Sequence, residues 1–151
     1  MTQCLASLLV LLFSLSSPAM EGNAAFWQSS LAARTAVPNG SVYSVAFETR
    51  LNPASYPGVS RAGHFQGANG ALLRAMEGDA QFAQIMQQGG VNLQRTATGL
   101  APRTPPPGWT WHHAPENGVM QLVPRTQHAS GSIFQNTLHP GGQGGYSIWG
   151  Q

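Results

Sequence analysis

Trp109–Gly142 reads WTWHHAPENGVMQLVPRTQHASGSIFQNTLHPGG, and its first half decides the architecture. Two runs rich in aromatic and branched residues, Trp109–His113 and Val119–Val123, flank a connection that contains Asn117-Gly118. That pair takes positive φ readily and is a strong short-range hairpin signal. Pro124 lacks a ladder donor and ends the second strand. The next residues, Arg125–Leu138, predict a short helix weakened by Gly131, and Gly141-Gly142-Gln143-Gly144-Gly145 returns the chain to loop. Trp109 and Trp111 share a strand face and read as core packing rather than as a base-stacking platform.

Upstream, Leu100–Gly108 (LAPRTPPPG) has three consecutive prolines, which fix an extended path and divide the chain in two. Before it, Leu72, Leu73, Met76, Phe82, Ile85 and Met86 fall at helical spacings within Ala68–Gln88. Gly89-Gly90 is the stop and Gly78-Asp79 a break between two short helices. Leu51–Gly63 is a turn-rich connection, and Ser41–Thr49 (SVYSVAFET) reads as a strand. At the N-terminus, Leu5–Leu15 is an apolar run of secretory length, followed by small residues that suit cleavage after Ala19 or Ala24. The residues before it carry no Lys or Arg, so a buried helix or short anchor is the competing reading. The organisation expected is a signal peptide over 1–24, an extension with a short strand over 25–60, and a domain over 61–151.

The whole chain has 151 residues, 42% hydrophobic and 8% charged, with no stretch long enough for a transmembrane helix. This excludes a fully disordered chain, and the absence of a Gly-X-Y period excludes collagen. Seven Arg and no Lys face five carboxylates, a net charge of +2 that permits an anionic partner without demanding one. The only cysteine, Cys4, excludes an internal disulfide framework and any multi-cysteine zinc knuckle.

Four of the five histidines, His112, His113, His128 and His139, lie in the last 40 residues, beside the hairpin. Neutral imidazole is both the commonest protein metal ligand and a proton acceptor near neutral pH. A strand end, the loop after the hairpin and a following helix can bring them into one cleft. Neighbours on a regular strand point to opposite faces, so only one of His112 and His113 is expected to face it. The adjacency implies different tasks for the pair, or a distorted strand end. His64 lies outside the cluster and reads as structural. Arg95, Arg103 and Arg125 are the nearest cations for phosphate contacts, with Arg125 and Arg103 preferred. Glu116, beside the turn, reads as a solvated hairpin residue.

Trp111-His112-His113, Met120-x-Leu122-Val123-Pro124, His128 and His139-x-Gly141-Gly142 together resemble the WHH branch of the HNH/endonuclease VII nucleases, found in bacterial polymorphic toxins. Gly63-His64-Phe65 and Ala68-Asn69 resemble the segment before that core, extending the likeness over about Arg61–Gly142. The resemblance implies an α+β chain with a ββα-metal, treble-clef-like core preceded by short helices. It implies one divalent ion, Mg, Mn, Ni or Zn, gripping a scissile phosphate, with His113 as general base. His112 and His139 are then the best metal ligands, and His128 completes the site or orients the water.

The function expected is a metal-dependent endonuclease hydrolysing DNA, either a toxin or a secreted nuclease. The partners are DNA and, by the family alone, an immunity protein, with no stable membrane insertion after signal cleavage and an exported location. The competing readings are an RNase and a non-catalytic secreted metal-binding or interaction domain. No groove-reading module is recognisable, so base specificity is not expected from the sequence.

Overall fold

The structure, a computed structural model, describes residues 43–151, so the signal-peptide reading and the first residues of the expected 41–49 strand lie outside the described residues. Three strands, β1 (Phe47–Arg50), β2 (Trp109–His113) and β3 (Val119–Pro124), form one antiparallel sheet in the order β1-β3-β2. Two helices, α1 (Arg61–Gly78) and α2 (Ala80–Gln88), precede the hairpin, and a single turn, α3 (Gln135–Leu138), follows it. The chain is α+β, as expected. Among the described residues no helix is long and apolar enough to cross a membrane.

The hairpin forms where Asn117-Gly118 places it, with Trp111 opposite Leu122, His112 opposite Gln121 and His113 opposite Met120. β3 is buried from Val119 to Val123 because it is the central strand and is covered on both faces. On one face Trp111, Met120 and Leu122 pack with Leu72 of α1, Phe82 and Met86 of α2, and Trp149. On the other, Val123 packs with Tyr43, Val45 and Leu138. Each fully buried Leu or Met in this arrangement contributes about 1.5–3 kcal/mol.

Helix α1 begins at Arg61, earlier than the expected Ala68. Gly63, Gly67 and Gly70 lower helix propensity and disguise the start. The capping signal prevails: the Ser60 hydroxyl accepts from the Gly63 amide at 3.3 Å, and the turn closes. The face buried against the sheet carries His64, Ala68, Asn69, Leu72 and Leu73. The break at Gly78-Asp79 is present. Asp79 ends α1 and caps α2, its carboxylate accepting from the Gln81 and Phe82 amides at 2.9 and 3.0 Å. Helix α2 stops at Gly89-Gly90: Gly90 has φ +79°, and the Val91 amide reaches the Met86 carbonyl at 2.9 Å, which turns Val91 into the core.

The proline-rich segment is tied down by Asn69. Its amide donates to the Pro102 and Thr104 carbonyls at 2.9 and 2.8 Å, and its carbonyl accepts from the Trp111 indole at 2.8 Å. One buried residue thus fixes the linker, α1 and β2 against one another. Trp111 is core, and Trp109 is packed against it, as read from their spacing.

Candidate active site

Strand β2 lies at the edge of the sheet, and that position decides how its two histidines are used. His112 emerges on the face carrying Tyr43, 6.2 Å from that ring. His113 emerges on the α1 face, its ring 5.9 Å from Phe65 and 5.3 Å from Trp149. Both nevertheless line one cavity of about 460 Å³, together with Arg61, Phe65, His128, His139, Gly144 and Tyr146. The expectation that only one of the pair faces the cleft is corrected here. It holds for a strand flanked on both sides, whereas the free edge of β2 lets a cavity wrap round and meet both faces. The strand itself is regular, with His113 still paired to Met120.

On the His112 side three imidazoles converge. His112, His128 and His139 each offer a ring nitrogen, all within 4.8 Å of one another. Nδ1 of His112 lies 3.3 Å from Nε2 of His128. Two ligands on a tetrahedral ion with bonds of 2.0–2.1 Å stand about 3.3 Å apart, so this pair fits such a centre. Nε2 of His112, on the other side of the ring from that pair, is buried with no hydrogen-bond partner among the described residues. His128 is carried by the turn after β3, its amide reaching the Pro124 and Arg125 carbonyls.

His139 is set by Gln135, one helical turn earlier. The Gln135 amide nitrogen donates to the carbonyls of His128 and Ala129 at 2.8 and 2.9 Å, so its oxygen must face His139. That oxygen accepts from Nδ1 of His139 at 2.8 Å and leaves the lone pair on Nε2. Gly144 packs beside that edge of the ring; a Cβ there would sit 3.0 Å from Cδ2 and 3.3 Å from Nε2.

Burial keeps these rings neutral. It is the main cause that pushes His112 down to about 3, with the neighbouring His128, His139 and His113 adding repulsion. His113 is likewise pushed down to about 3 by burial, then by His64 and Arg61. His128 and His139 are lowered by burial, with His139 acting on the former and Arg61 on both. Neutral imidazole is the ligating and proton-accepting form.

The other site readings fare differently. Arg103 donates to the Ser60 hydroxyl at 3.3 Å and Arg125 to the Trp109 carbonyl at 3.4 Å; neither lines the cavity. Arg95 pairs with Glu77 at 2.7 Å. The cation that does line it is Arg61, with its guanidinium 4.5 Å from the centre of the Tyr146 ring. Its place at the first residue of α1 was hidden by the late helix start. His64 is not remote from the cluster: Nδ1 stands 3.1 Å from Nε2 of His113. Glu116 is exposed beside the turn.

The C-terminal turn, Tyr146–Gly150, closes the His113 side. Its approach depends on Gly145, where a Cβ would fall 1.9 Å from the Ala114 carbonyl oxygen. Beyond it the Trp149 indole donates to that same oxygen at 2.8 Å.

Residues 102–151 match the family model WHH, described as a nuclease of the HNH/ENDO VII superfamily with conserved WHH. The matched segment carries the hairpin, α3 and the four clustered histidines. No curated protein and no solved structure matches the chain.

Proposed function

We propose that the nuclease segment at residues 102–151 works, with α1 and β1 around it, as a metal-dependent endonuclease that hydrolyses DNA phosphodiester bonds. One observation carries the reading: three imidazoles with ligand atoms within 4.8 Å of one another share a cavity with a fourth, His113. β2, β3 and α3 then correspond to the ββα-metal unit of the superfamily. A metal store has no use for a neutral base beside its ligands, which favours the enzyme over a binding domain.

His112, His128 and His139 would hold the ion. When bound, it supplies Lewis-acid stabilisation of the charge that develops on the phosphate and leaving oxygen. An all-imidazole donor set suits Zn or Ni better than Mg, which prefers oxygen ligands. His113, neutral in the resting state, takes the proton of the attacking water. Arg61, braced on Tyr146, holds a non-bridging phosphate oxygen. Arg103 and Arg125, outside the cavity, are assigned to neighbouring phosphates. Residues 1–24 serve as an export signal, so the enzyme acts as a secreted nuclease or a toxin, and a toxin would require an immunity protein.

Nicking of supercoiled plasmid in Zn²⁺, Ni²⁺, Mn²⁺ or Mg²⁺, with an RNA substrate in parallel, tests the reading. Cleavage is expected with added ion and is abolished by EDTA; equal cleavage in excess EDTA would remove the metal mechanism. His113→Ala should lower cleavage by about 10²–10⁴-fold at saturating metal, the range for loss of a general base. Metal binding should survive that substitution and weaken in His139→Ala. Full rescue of His113→Ala by extra metal would exchange the assigned roles.

A further inference from the structure

We propose that His64 is a positioning residue that fixes the tautomer of His113, placing the proton-accepting lone pair on Nδ1 of the latter. The inference rests on the reading of His113 as the base. Nε2 of His64 lies 2.8 Å from the Ser55 carbonyl, which can only accept, so that nitrogen carries the hydrogen. The ring is wholly buried and stacked at 5.6 Å on Trp149, an environment that favours the neutral form. Neutral His64 protonated at Nε2 has its lone pair on Nδ1, the atom 3.1 Å from Nε2 of His113. His113 must therefore donate from Nε2, and its own lone pair is left on Nδ1. The ring makes no other hydrogen bond among the described residues.

The anchor is itself held by a capped turn. Ser55 closes a short 3-10 turn, Pro53–Ser55, whose cap Asn52 accepts from the Ala54 amide at 2.9 Å through its side chain and from the Ser55 amide at 2.8 Å through its backbone. The consequence in the reaction is a defined proton path. An O–H bond of the attacking water breaks and its proton bonds to Nδ1 of His113, while the water oxygen uses the freed electron pair to bond phosphorus and the scissile P–O bond breaks, its electron pair leaving on the departing oxygen. The imidazolium so formed keeps donating from Nε2 to His64, now as a charge-assisted bond.

The test reads the tautomer directly. In ¹⁵N-labelled full-length protein, with and without Zn²⁺, long-range ¹H–¹⁵N spectra of His113 should show a protonated Nε2 and an unprotonated Nδ1. A His113 protonated at Nδ1 would overturn the proposal, whatever the variants do. Two substitutions extend the test. Asn carries its oxygen on Cγ, where His64 carries Nδ1, so His64→Asn keeps an acceptor for His113. His64→Gln sets its amide near the Nε2 position, keeping the bond to Ser55 and losing the acceptor. We expect His64→Gln to lower kcat by about 10- to 100-fold, with KM little changed and a mixed His113 tautomer. His64→Asn should retain most of the activity and the single tautomer. Equal activities and spectra for folded Asn and Gln variants would refute the role; if neither folds, the unsubstituted spectrum decides. Unimpaired cleavage by His113→Ala would instead defeat the base assignment and leave the tautomer result standing.

Discussion

Gln135 fixes the tautomer of His139 and so leaves the lone pair on Nε2, the form that the proposed metal role needs. Its amide is oriented by two backbone carbonyls, so the carbonyl oxygen is always the face presented to Nδ1 of His139. Gln135→Leu keeps the bulk and removes the acceptor, which frees the ring to rotate and to change tautomer. Zinc affinity, measured by competition with a chromophoric chelator, should fall by about 10- to 100-fold, with the circular dichroism unchanged. An unaltered affinity would mean that packing alone orients His139. At this scale the four clustered histidines were legible, because they crowd one short stretch next to a hairpin signal. Gln135, Arg61 and His64 were not. Gln135 is one of several glutamines with no pattern to mark it, and His64 meets His113 across 49 residues of sequence, a distance that only the sheet and α1 together close.

Among the elements, the hairpin and the break at Asp79 were readable because each is written in a few adjacent residues whose backbone preferences are strong. The start of α1 was not, since Gly63, in the turn that Ser60 caps, and Gly67, in the next, both argue against helix. Nor was the pairing of β1 with β3, which depends on burial from both faces rather than on local pattern. Where elements meet, Asn69 bears the joint. Its side chain bonds three groups, all outside α1, and the residue is fully buried. Asn69→Ala leaves the Trp111 indole and two linker carbonyls without their partner. Loss of about 1–3 kcal/mol is expected for an abandoned buried group of this kind, read from urea unfolding with an unchanged slope. Asn69→Asp should also destabilise, since a carboxylate can satisfy the indole and repels the two carbonyls.

For the molecule as a whole, acidity sets a boundary. His112 and His113 titrate near 3 when folded and near 6.5 when unfolded, so between those values the unfolded chain binds more protons. The contribution of this pair to stability is therefore complete above about pH 6.5 and is lost as pH falls toward 3. The melting temperature of metal-free protein should hold nearly level from pH 7.5 to about 6.5 and drop from there to pH 4.5; a flat profile over the lower range would contradict the buried neutral state. Zinc should raise the melting temperature at pH 7.5, by binding the folded form alone. The central position of β3 carries a different consequence. β1, from well before the matched segment, hydrogen-bonds the outer side of β3 from Phe47–Leu122 to Arg50–Val119. A recombinant fragment beginning at residue 102 would uncover that row of amides and carbonyls beside Leu122 and Val119, an open template for another chain. Such a fragment should be recovered as aggregate, and the smallest soluble unit is one that brings its own β1.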